Sequence, residues 1–341
     1  MTVSGDPELA QLASELPQST GVSVRRLRLP DDALPISLLS NREMEADGID
    51  ERESAEDWGL WFATASGFDP ARDVVVVERG DVVVAYAQAR WTNDNDGGRN
   101  YNSMGIVAPE LRGLGIGTAL LAHNERRLRL VATGHDPSLE KRIDAWAYDR
   151  QADRISLLES AGYRIARYFF EMLRPTLDDI PELPMPAGIE IRPVRPEQYR
   201  QIWDADIEAF RDHWGGMDTS DASFTRHFSG PHFRPDLWRV AWDGEEVAGV
   251  VMNQILTSYN QQTGHRRGLL AGVSVRRAWR RRGLARALVA DSLRSFRDAG
   301  MTEAVLGVDA ENPTGALGVY EATGFIVDKR GRNYRKPLLE A

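Results

Sequence analysis

Val275-Arg-Arg-Ala-Trp-Arg280-Arg281-Arg282-Gly283-Leu-Ala285 is the stretch on which the fold is read. The apolar run Leu269-Leu-Ala-Gly-Val273 before it reads as a buried strand. After it, Leu284, Leu288, Val289, Leu293 and Phe296 recur at the spacing of one apolar helix face. The turn between strand and helix therefore opens onto a helix N-terminus, where backbone N–H groups lack partners and the helix dipole is positive. Gly283 and Ala285 are small enough to let a ligand approach that backbone, and Arg280, Arg281 and Arg282 add positive charge. The turn reads as a cradle for a pyrophosphate.

Val107-Ala-Pro-Glu-Leu-Arg112-Gly113-Leu-Gly115-Ile-Gly117 repeats the pattern between an apolar strand, Met104 to Val107, and an amphipathic helix through Leu130. Val107 falls on Val275, Arg112 on Arg280, Gly115 on Gly283 and Gly117 on Ala285, an offset of 168 residues. So long a period means a duplicated domain and not a repeat array.

Arg-x-x-Gly-x-Gly/Ala after a strand ending in Val resembles the acetyl-CoA signature of the GNAT N-acyltransferase superfamily. Asn312-Pro-Thr-Gly-Ala-Leu-Gly-Val-Tyr320-Glu-Ala-Thr-Gly324-Phe325 resembles its second landmark. The tandem arrangement is similar to that of the mycothiol synthase group. The resemblance implies an α/β fold with two GNAT-like domains, each a mixed, mostly antiparallel, splayed sheet flanked by helices. It further implies that acetyl-CoA is the co-substrate, with its pantetheine arm in the splay. Val273 and Val275 would then bind pantetheine through main chain, the residues from Arg280 to Ala285 would hold the pyrophosphate, and Asn312 would stand beside the arm on the next strand. Tyr320 would be the catalytic acid that protonates the departing thiolate.

Aligning Ser156–Tyr163 with Gly318–Phe325 puts Leu158 at the position of Tyr320. Leucine has no proton to give. The first domain, with Val107, Arg112, Gly113, Gly115 and Gly117, is thus expected to hold coenzyme A without doing chemistry; a degenerate copy that only packs against the active half is the alternative. The mycothiol synthase group uses a carboxylate on the strand before the cradle, and Arg266–Ala271 contains none. Glu208, Asp212 and His213 are the candidates for contact with the acceptor, because the family's first helices border that pocket.

The chain has 341 residues, enough for two ordinary domains. Its boundaries are expected as an arm over 1–20, a first domain over 21–175, a Pro-rich linker over 176–187 and a catalytic domain over 188–341. The two domains should each run strand, helices, hairpin, cradle, strand, helix and strand, with a last strand pair around Arg330-Gly331. A formal net charge of −9 argues against a nucleic-acid partner, although six arginines between Arg276 and Arg286 keep that reading open. No cysteine is present, which removes disulfides and a cysteine acyl-enzyme. His227 and His232 flank Gly230-Pro231, which prevents the spacing of a helical zinc pair, so no metal is expected. With no signal peptide or membrane-length apolar run, a cytoplasmic monomer or homodimer is expected. The leading function is acetyl transfer from acetyl-CoA to the primary amine of a small molecule by direct attack. A non-catalytic acyl-CoA-binding protein and mycothiol synthase proper are the alternatives.

Overall fold

The computed structural model describes residues 5–229, 232–312 and 315–338. Two compact units emerge, one of Met1–Ala166 with Arg332–Ala341, the other of Arg167–Gly331.

The first unit opens on α1, Pro7–Glu15, whose N-terminus is capped by the Asp6 carboxylate accepting from the N–H groups of Glu8 and Leu9. Leu9 and Leu12 bury against the core, so the expected arm is an integral helix from residue 7 onward; its first four residues lie outside the described ones. The chain continues with β1 (Ser23–Arg26), α2 (Ala33–Ala46), α3 (Ala55–Thr64), the single turn α4 (Pro70–Asp73), and the strands β2 (Val74–Arg79), β3 (Val82–Asn93) and β4 (Arg99–Val107). The helix α5 (Ile116–Ala132), β5 (Lys141–Tyr148), α6 (Ala152–Ser160) and the start of β6 (Arg164–Arg174) follow. Strands β1 to β4 pair antiparallel in sequence order, and β4 pairs parallel with β5. Val74 to Val77 are buried together, as a central strand covered on both faces requires.

The second unit carries most of β6, then β7 (Ile189–Arg192), α7 (Tyr199–Phe210), α8 (Asp221–Ser229), β8 (Arg239–Asp243) and β9 (Glu246–Ile255). It continues with α9 (Thr257–Thr263), β10 (Arg267–Val275), α10 (Leu284–Asp298), β11 (Glu303–Asp309), α11 (Ala316–Glu321) and the first half of β12 (Ile326–Pro337). Here β6, β11, β10, β9, β8 and β7 are neighbours in that order, with only β10 and β11 parallel. Each unit is thus a mixed, mostly antiparallel sheet flanked by helices, as the fold class demanded.

Three elements differ from expectation. The Pro-rich segment 175–188 has no helix or strand, yet Leu177 is buried and Ile180 and Met185 pack on the second unit's core. Arg330-Gly331 makes no turn: β12 runs straight through it, because neither residue needs a left-handed backbone there. The helix α9 went unread, since Thr257-Ser-Tyr-Asn-Gln-Gln-Thr263 is polar apart from the buried Tyr259. The expected start of the last helix, Thr314, lies outside the described residues.

Packing of α10 on the sheet leaves no room for a side chain at Gly268, where a Cβ would stand 2.6 Å from the Phe296 ring. Gly268→Ala should cost about 1–3 kcal/mol through overpacking, measurable as a lower urea midpoint with an unchanged slope.

Candidate functional site

The two cradles share one backbone. Short helical turns, Pro109–Leu111 and Arg277–Trp279, carry the chain from strand to cradle, and Arg112 and Arg280 then take the same extended conformation, with ψ of 154° and 159°. Gly115 (φ 90°) and Gly283 (φ 85°) cap α5 and α10 in the left-handed region that glycine tolerates. Two residues earlier stand Gly113 (φ 72°) and Arg281 (φ 62°), the latter the one non-glycine residue with positive φ among those described. A left-handed arginine stores about 1–2 kcal/mol of strain, so Arg281→Gly should raise the unfolding midpoint of the second unit. That gain would show in urea melts even if phosphate contacts are lost.

The strand pairs beside the cradles come apart. Parallel pairing of β10 with β11 covers Arg267 to Leu269 and stops, although β10 continues to Val275 and β11 to Asp309. In the first unit β4 and β5 pair from Arg99 to Asn102, and β4 continues to Val107. Beyond these points the inner edges of both strands lack ladder partners, which leaves main-chain groups for a ligand. Val273 and Val275 lie on the parted stretch of β10. A bulge at Ala271, between the registers of Leu270 and Gly272, marks where the strand turns away.

Arginine roles divide by position. The Arg280 guanidinium donates to Asp212 (2.8 Å), to the Ala209 carbonyl (2.9 Å) and to the Val275 carbonyl (2.9 Å), tying the cradle to the end of α7. Arg277 joins it on Asp212, and Arg276 pairs with Glu208 at 2.8 Å. In the first unit Arg112 meets Asp47 at 2.5 Å, at the equivalent helix end. Arg280 and Arg112 are frame residues. Arg281 and Arg282 are exposed and form no ion pair among the described residues, so their charge faces solvent over the turn; Ala285 sits in the first turn of α10. The first cradle has Gly113 and Leu114 at the matching positions and is the less positive of the two.

Of the acceptor candidates, Glu208 and Asp212 serve that frame. Arg277 and Arg280 beside Asp212 hold its carboxyl well below the usual carboxylate range, which makes it a poor proton acceptor. His213 follows α7, its Nδ1 2.8 Å from the Trp214 carbonyl. Asn312 lies in the turn after β11 and not on the strand, its carbonyl accepting from the Gly315 N–H at 3.2 Å.

Tyr320 is 6% exposed and joins the cluster that contains Val308 of β11, with Val273 and Val275 of β10 packed against it. Burial pushes its phenol up to about 12. Leu158 matches it in structure as in sequence: each helix ends in a left-handed glycine, Gly162 or Gly324, and the N–H of Tyr163 or Phe325 bonds back 3.0 Å to the Leu158 or Tyr320 carbonyl.

Three residues escaped the sequence reading. Asp206 lies on the buried stripe of α7 with Ile202, Trp203 and Ala205, 3% exposed, where burial pushes its carboxyl up to about 6 against a hydrogen bond from Ser274 of β10. An acid on an apolar helix face was the available signal. Glu53 and Gln88 line a cavity of about 800 Å³ in the first unit, within the ~300–1,000 Å³ of small-molecule sites. Only chain folding brings them together.

A glycine-capped turn beside a parted parallel pair recurs in both units, at the places where the sequence reading expected a phosphate-bearing, extended carrier to lie. The Acetyltransferase (GNAT) family pattern matches residues 37–161 and again 198–325, and the chain belongs to that family. It is similar to a mycothiol acetyltransferase of Catenulispora acidiphila, 26% identical over 326 residues that cover 90% of this chain and 96% of the relative. Among solved structures it is similar to a GCN5-related N-acetyltransferase from Sphaerobacter thermophilus, 28% identical, with a TM-score of 0.72 over 96% of this chain and 98% of that one. A tandem GNAT protein of the clavulanic acid biosynthesis pathway shares the fold, with a TM-score of 0.64 at 18% identity, over 94% of this chain and 99% of that one. The chain is an acyltransferase that uses an acyl-CoA and passes the acyl group to an amine of a small-molecule acceptor. The non-catalytic reading is not favoured. No helix among the described residues is long and apolar enough to cross a membrane.

Proposed function

We propose that the second unit transfers an acetyl group from acetyl-CoA to the primary amine of a small molecule in the cytoplasm, and that Tyr320 is its catalytic acid. The observation that carries this reading is the buried phenol in the cluster joining the parted strands β10 and β11. The pyrophosphate would rest on the backbone of Arg281 to Ala285, where a Cβ built at Gly283 meets nothing within 4 Å. Pantetheine would lie along Val273 and Val275. The neutral amine nitrogen attacks the thioester carbon to give a tetrahedral intermediate; its collapse breaks the C–S bond, the thiolate takes the Tyr320 proton, and the proton lost by the nitrogen passes to water, from which the phenolate is reprotonated. With a pKa near 12 the phenol is protonated across the working range, as a proton donor must be.

The first unit departs from that site at three places. Leu158 replaces the phenol, the Arg154 guanidinium donates to the Gly105 carbonyl on the free stretch of β4 at 2.7 Å, and a Cβ at Gly115 would come within 3.2 Å of Pro17. Calorimetry of the full chain is therefore expected to show one tight equivalent of acetyl-CoA; two equal ones would mean that the first unit holds coenzyme A as well, as its cradle motif led one to expect. Thiol release with a panel of amines and an acyl-chain series tests the reaction itself, and no turnover with any amine would sink it. The name borne by the curated relative favours a mycothiol-type acceptor as the second reading, to be included in the panel.

A further inference from the structure

The cavity of the first unit is lined by Gly113, Gly115 and Gly117 of the cradle and by Glu53, Gln88 and Trp61. Glu53 is held there by its backbone. The Asn41 amide accepts from the Glu53 N–H and donates to its carbonyl, both at 2.9 Å, and Ser37 donates to the same carbonyl at 2.8 Å. These bonds fix the residue to α2 while its carboxylate accepts from the Ser40 hydroxyl at 3.1 Å, with the Trp58 indole beside it. No cation pairs with it among the described residues. By contrast Glu43 and Asp47, in the same cavity, are satisfied by Arg154 and Arg112. Burial raises the Glu53 carboxyl above its ordinary range, as an unpaired acid in a deep pocket requires.

Gln88 is a second, independent sign of a ligand. It is 3% exposed, and its Oε1 accepts from the Tyr86 hydroxyl and from Trp61 Nε1 at 3.2 Å. The Trp61 indole N–H can only donate, which sets the way round of the amide, and its Nε2 is left with two hydrogens and no partner among the described residues. Asn124, 1% exposed and lining the same cavity, is held by three bonds from its Nδ2 and leaves its Oδ1 unpartnered. Gln88 Nε2 borders the cavity with hydrogens to give, which an oxygen-bearing ligand can accept. Tyr86, whose hydroxyl donates to Gln88, has its phenol raised by burial and by the charge of Glu53 nearby.

We propose that this cavity is a second ligand site, separate from Tyr320, and that it binds a small primary amine carrying a hydroxyl or carbonyl oxygen. The ammonium meets Glu53, and the oxygen accepts from Gln88 Nε2. The described residues hold no group of three or more acids and histidines able to take a metal ion, so a single organic cation fits the Glu53 carboxylate better than a divalent one. Nothing in the proposal requires the first unit to hold coenzyme A or to react.

Titration of the full chain with 2-aminoethanol, followed by ligand-observed NMR, tests it. Saturable binding is expected for 2-aminoethanol and not for ethanol or acetate. Glu53→Gln, isosteric and without an ion pair to lose, should weaken that binding by about tenfold or more, and Tyr320→Phe should leave it as it was. Equal binding by wild type and Glu53→Gln, or equal saturation by ethanol, would overturn the proposal. Because these comparisons run on the wild-type chain as well, a poorly folded variant does not decide the outcome. Turnover is read separately, so a failed reading of Tyr320 leaves this result interpretable.

Discussion

Replacing Tyr320 with phenylalanine is expected to cut turnover by about 10²–10⁴-fold, the usual worth of a positioned general acid, while acyl-CoA affinity stays as it was. The substitution removes one oxygen from a buried ring and keeps its packing against Phe325, which it meets edge-on at 6.1 Å. Expulsion of a thiolate from the tetrahedral intermediate would then have to wait for a proton from water. The pH profile supplies the second readout. A phenol with a pKa near 12 holds its proton through the alkaline range, so wild-type turnover should show no loss assignable to this group below about pH 10. Unchanged turnover in the variant, with binding intact, would remove Tyr320 from the mechanism.

Asp206→Asn should stabilise the second unit by about 3 kcal/mol at pH 8, since the carboxyl titrates near 6 in the folded chain against 3.8 in the reference state. Its folded pKa is raised, so its contribution to stability is fully present below pH 3.8 and is lost as the pH climbs through about 6. Above that, the folded chain carries a buried charge whose Oδ1 has no hydrogen-bond partner. Asparagine keeps the shape and carries no charge, so the gain should be large at pH 8 and vanish at pH 4. Urea melts of both proteins at the two pH values would measure it; equal stability at pH 8 would mean that Asp206 is solvated or neutralised in solution. The carboxyl sits behind Ser274, between Val273 and Val275, which are proposed to carry the pantetheine. An unfavourable acid in that place is one of the positions where stability and activity are expected to trade against each other.

The fold class and both cradles were legible in the residues themselves, because each depends on local chemistry. A strand, a glycine that must be left-handed and an amphipathic helix are written within about a dozen positions, and their repetition 168 residues later made the duplication visible. The match of Leu158 to Tyr320 was equally local, resting on a helix end and its glycine. What Arg280, Asp212 and Glu208 do could not be read that way. Their partners lie 68 residues apart for both Arg280–Asp212 and Arg276–Glu208, and only folding shows the acids bound to the cradle and not waiting for an acceptor. The exposed edges of β10 and β4 depend on where parallel pairing ends, a property of two strands and of neither alone. Glu53, Gln88 and Asp206 were missed for the same reason. Burial, and the presence or absence of a counter-charge, are set by everything packed around a side chain, and those neighbours come from distant parts of the chain.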